Sequence, residues 1–141
     1  MLVLGIAPSP SSSGWALVEV SSDGERLVST GRVTGANAEA IANLAGVMTT
    51  LPDAPEMVVV EDARPSERAY SQNVGRWLQA FEDYGIECAT VTPAIWQASV
   101  GPNDHDRRTL GTRAAMATFG VEVAEGDAAC TALWAGRKRS R

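Results

Sequence analysis

The sequence has little of what would mark several common function classes. It has one histidine, His105, one lysine, Lys138, and two cysteines, Cys88 and Cys130, in 141 residues. Neither cysteine stands in a C-x-x-C or Cys/His spacing, so both read as reduced core thiols of a cytoplasmic protein. His105 lies in the stretch Gly101–Asp106, which reads as a solvated loop. No apolar run approaches the ~18 residues that a membrane helix needs. The apolar opening, Met1 to Ala7, lacks a positive flank and meets Pro8 at once, which argues against a signal peptide and for a chain with no membrane association. Positive charge is also short: 12 basic against 17 acidic residues leave a net charge of −5. Bulk electrostatic attraction to nucleic acid is thereby excluded as the main source of any such affinity.

What is present is an ordinary soluble composition, 45% hydrophobic and 21% charged, at the length of one domain. Leu2–Ile6 is a continuous apolar run, as in a buried strand, and Pro8–Gly14 is a turn cluster. Trp15–Val20 and Arg26–Val33 flank the turn signal Asp23-Gly24, which completes a three-stranded antiparallel meander. The period then changes. Ile41, Leu44, Val47, Met48 and Leu51 share one helical face, and Pro52 stops that helix. Met57–Glu61 is the most apolar strand, and its place after a helix predicts a central parallel position. Val74, Trp77, Leu78 and Phe81 predict a helix over Tyr70–Tyr84, ended by Gly85. Ile86–Val91 is the fifth strand. Helices follow over Pro93–Val100, Arg107–Phe119 and Asp127–Gly136. The order predicts an α/β fold: a five-stranded mixed sheet flanked by helices in one domain, residues 1–136, with a basic and mobile tail, 137–141.

In open α/β sheets, ligands bind outside the carboxyl ends of the strands. Glu61 ends the most apolar strand, where a carboxylate requires solvent, a hydrogen-bond donor or a metal. Asp62 follows it but points to the opposite sheet face. Asp127 begins the last helix, where N-capping is the ordinary explanation. The first strand ends at Ala7. A carboxylate there would complete, with Glu61 and Asp127, a set able to hold two Mg²⁺ ions about 3.5–4 Å apart for phosphodiester hydrolysis. Alanine supplies no oxygen ligand. The chain has a gap where that chemistry needs a carboxylate.

Four segments carry a resemblance. Leu4-Gly5-Ile6-Ala7-Pro8 followed by Gly14-Trp15-Ala16 resembles the first motif of the RuvC-like Holliday-junction resolvases, with Ala7 at the position of the first catalytic Asp. Val58-Val59-Val60-Glu61 resembles the second motif. Pro93-Ala94-Ile95-Trp96 followed by Gly101 resembles a P-x-x-W…G segment, and Asp127–Ala135 resembles the last motif. The segments span almost the whole chain in the family's order. The resemblance implies an RNase H-like fold and a homodimer that nicks four-way DNA junctions with two Mg²⁺ or Mn²⁺ ions per active site. It implies metal ligation by Glu61 and Asp127, with Glu125 or Glu122 as the fourth carboxylate. It also implies that the chain, with Ala7, binds branched DNA and cuts it little. The motif around Ala7 is otherwise intact, which favours a removed Asp over natural decay. A naturally inactive DNA-binding protein and an RNase H-like nuclease acting on RNA are the alternatives.

Eleven of the twelve basic residues are Arg, whose planar fork suits phosphate; a high-GC genome gives the same bias. The candidates for DNA contact are Arg64, Arg68, Asn73 and Arg76 after Glu61, Tyr70 as a stacking ring, and Arg107, Arg108 and Arg113. A solvated charged helix face is the ordinary alternative for these arginines. Trp15, Trp96 and Trp134 read as core. Trp77 and Phe81 read as core or as the dimer interface.

Overall fold

The computed structural model describes residues 1–35, 38–51, 53–100 and 123–139, with side chains for all of them except 97–100 and 123–126. Five strands form one sheet: β1 (Leu2–Ala7), β2 (Ser12–Ser21), β3 (Gly24–Thr34), β4 (Met57–Glu61) and β5 (Glu87–Val91). Their order is β3-β2-β1-β4-β5. The meander pairs antiparallel, while β1–β4 and β4–β5 are parallel. The expected mixed sheet, with its most apolar strand second from one edge and buried along its length, is therefore present.

Alternation along β1 and β4 divides the core in two. Leu4, Ile6, Val58 and Val60 pack with Val74, Trp77 and Phe81 of α2 (Arg68–Glu82) and with Leu44 of α1 (Ala38–Met48). Val3, Ala7, Met57 and Val59 face the other side. There they meet Trp96 of α3 (Pro93–Val100) and Ala128, Ala129 and Ala132 of α4 (Val123–Arg139). Trp77 and Phe81 are thus core residues on one face. Trp15 and Trp96 are also core, and Trp134 is half-buried against the second cluster.

Helix α4 lies unusually close to the sheet, because both surfaces are built from small residues. A methyl group on Gly5 of β1 would fall 2.0 Å from the carbonyl oxygen of Ala128, and one on Gly136 would fall 2.5 Å from a methyl of Val20. Helix α4 begins at Val123, four residues before the expected start, so Asp127 is an interior helix residue and not the N-cap. The helix also continues through Arg139, beyond the expected boundary at Gly136. Its last turn is tied to both sheet edges. Arg137 donates two hydrogen bonds to Glu25 of β3, at 2.5 and 2.6 Å, and Arg139 pairs with Glu87 of β5. Lys138 lies 5.1 Å from the centre of the Trp134 ring. Residues 137–139, read from the sequence as part of a mobile tail, are the anchored end of a helix. No helix among the described residues is long and apolar enough to cross a membrane.

Candidate functional site

At the carboxyl ends of β1 and β4, a cleft of about 390 Å³ is lined by Ala7 and the loop Pro8–Pro10 on one side. Glu61, Arg64 and Tyr70 line the other, and Pro93 and Asp127 close it. The parallel register pairs Val3 with Met57 and Gly5 with Val59. Ala7 and Glu61 continue that alternation on the face that α4 covers, and the first turns of α4 bring Asp127 to the same place. Three positions that lie 54 and 66 residues apart in the chain thus converge. Asp62 is the residue after the end of β4. One of its carboxylate oxygens is buried without a hydrogen bond.

Glu61 is 6% exposed. A carboxylate at that depth is costly unless hydrogen-bonded. The indole Nε1–H of Trp96, itself 1% exposed, donates to Glu61 Oε2 at 2.5 Å. Tyr70 ties the cleft walls together: its hydroxyl donates to the carbonyl of Pro8 at 3.0 Å. Burial first, and the negative charge of Glu61 second, push the Tyr70 phenol up to about 12. Cys130, one turn beyond Asp127, is also pushed up to about 12, by burial and then by the charges of Asp127 and Glu61.

The other expected contacts are more dispersed. Arg64 lines the cleft and lies 3.5 Å from Glu67, an exposed pair. Arg68 and Arg76 are exposed on α2 outside the cleft, and Asn73 is half-buried there with its Oδ1 away from solvent and unbonded. Tyr70 lines the cleft, with its hydroxyl committed to Pro8. His105, Arg107, Arg108, Arg113 and Glu122 lie outside the described residues, as does the Glu125 side chain. The sequence reading assigned Trp96 to the core and missed its bond to Glu61. The P-x-x-W spacing was visible, but nothing in it identifies a partner 35 residues away.

No protein-family model and no curated protein matches the sequence. Among solved structures, the chain is similar to Thermus thermophilus RuvC, with a TM-score of 0.74 and 24% identity over 99% of this chain and 96% of that one. The chain has the RuvC fold. The same protein in complex with a Holliday junction substrate superposes with a TM-score of 0.75 and 21% identity, again over 99% and 96% of the two chains. Fowlpox virus resolvase, in a complex with substrate Holliday junction DNA, gives 0.66 and 10% identity over the full length of both. The expected RNase H-like architecture is therefore present.

On the RuvC fold, the cleft residues do not fit a pair of divalent ions. Such a pair needs oxygen donors shared between ions about 3.5–4 Å apart, and hard cations take no ligand from a methyl group. Ala7 presents a methyl group, one oxygen of Glu61 accepts from Trp96, and no group of three acidic, His or Cys side chains is gathered among the described residues. Among the described residues, position 7 supplies no oxygen donor to the cleft.

Proposed function

We propose that this chain recognises four-way or closely related branched DNA through the cleft at the ends of β1 and β4, as a junction-resolving nuclease whose metal set is interrupted at residue 7. The observation that carries the reading is the convergence of Ala7, Glu61 and Asp127 in one cleft on the RuvC fold, with the Arg64 guanidinium on its rim. The solved structures of that fold include two proteins in complex with Holliday junction DNA. In this reading Arg64 contacts a backbone phosphate, and Arg68, Arg76, Arg107, Arg108 and Arg113 are further candidates for phosphate contact. The protein acts in the cytoplasm as a homodimer, whose two-fold axis matches a substrate with two equivalent strands. Mg²⁺ or Mn²⁺ belongs to the form with a carboxylate at residue 7. Glu61 and Asp127 would then share the ions with that group, and the ions would supply charge neutralisation and an activated water.

The test is a competition binding measurement in EDTA, with a fluorescent four-way junction, a linear duplex of the same arm sequences and a structured RNA of similar size. Junction DNA is expected to bind at least tenfold more tightly than the duplex. Equal affinity for junction and duplex would overturn the proposal, and a preference for the RNA would move the chain to an RNA-directed function.

A further inference from the structure

We infer that Trp96 is a positioning residue, whose indole N–H holds the Glu61 carboxylate in the place where the cleft uses it. The inference deepens the function proposed above and rests on it for the word "uses"; the hydrogen bond itself does not depend on that reading. Glu61 sits on the last residue of β4, so its backbone is fixed by pairing to β5, but its side chain has three torsions to settle. Packing alone settles them poorly for a polar group at the end of a strand. Trp96 is placed to do so. The first turn of α3 is pinned by bonds from Ile95 N and Trp96 N to the carbonyl of Thr92, directly after β5. The ring is fully buried in the core cluster that also holds Ala7, Val91, Ala128 and Ala129, on the face where Ala7 and Asp127 line the cleft.

The indole is a donor only, so it pairs with an acceptor oxygen of Glu61 and with nothing that can only donate. It therefore fixes the position of the Glu61 carboxylate. A phenyl ring at residue 96 would keep most of the packing and remove the donor. Groups that orient a metal-binding side chain from behind typically change metal affinity or activity by about 10–100-fold when removed.

The bond is read directly by ¹⁵N NMR of the tryptophan side chains in the unmodified protein. The four tryptophans give four indole signals, and Trp96→Phe removes and assigns one. The Trp96 signal is expected downfield of the other three and slow to exchange with solvent, and Glu61→Gln should shift it upfield. The consequence is read in the Ala7→Asp background. There Trp96→Phe should lower junction cleavage about tenfold or more through kcat and raise the Mn²⁺ concentration needed for half-maximal rate. Junction affinity in EDTA should stay unchanged. A Trp96 signal indifferent to Glu61→Gln overturns the inference, as does full cleavage by the Trp96→Phe, Ala7→Asp protein. If Ala7→Asp alone cuts nothing, the proposed function fails and the NMR result still decides whether Trp96 holds Glu61.

Discussion

Replacing Gly5 with alanine should separate the helix that carries Asp127 from the strand that carries residue 7. The added methyl would sit 2.0 Å from Ala128 O and 2.9 Å from Ala132 N. The first distance is about 1.4 Å inside ordinary van der Waals contact. Both obstacles are backbone atoms of α4, so no rotamer change relieves them, and the helix or the strand must move. Overpacking typically costs about 1–3 kcal/mol, and a backbone clash on this scale belongs at the top, about 3 kcal/mol. For a domain of this size that is a fall in melting temperature of roughly 10 °C. Because α4 is anchored at its far end by Arg137 and Arg139, the displacement is largest near Ala128, beside Asp127. Gly75→Ala is the control. That glycine is inside α2, nothing lies within 4 Å of the added methyl, and removing backbone entropy there should stabilise by about 0.5–1 kcal/mol. The assay is circular-dichroism melting and urea denaturation of the three proteins. A Gly5→Ala protein as stable as the parent would refute the close approach of α4 and β1 on which the site rests.

Other outcomes follow from the same geometry. Arg64→Ala should lower the slope of log affinity against log salt for junction DNA by about one. Arg137→Ala should leave that slope unchanged, because its guanidinium is engaged with Glu25; anisotropy titrations at several salt concentrations check both. Stability should fall as pH rises from about 9 towards 12, because Cys130, Cys88 and Tyr70 keep their protons in the folded chain, up to about 12, 11 and 12, while the unfolded chain releases them earlier. Cys130→Ala should flatten the early part of that fall in urea titrations, and an unchanged pH profile would contradict the burial of its thiol.

Much of the site was legible because strand parity and apolar runs are local signals. The run Met57–Val60 announces a buried strand, and a carboxylate at its end has few innocent explanations. The apolar run Leu2–Ile6 places Ala7 at the matching end of a second strand. What was not legible depends on distant partners. Trp96 reads as core because its indole and the Glu61 carboxylate meet only through the packing of α3 on the sheet. Arg137 to Arg139 read as a loose tail because Glu25 and Glu87 lie 112 and 52 residues away. Asp127 reads as a helix cap because an Asp at the start of a helix ordinarily is one, whereas α4 begins four residues earlier.

The most direct test is cleavage of a labelled four-way DNA junction with Mg²⁺ or Mn²⁺ by the chain and by its Ala7→Asp variant. Both proteins are expected to bind the junction. Only the Ala7→Asp variant should introduce paired nicks, and adding Asp127→Asn to it should abolish them. Binding without cleavage by both proteins would contradict the metal role assigned to position 7, as would equal cleavage by both.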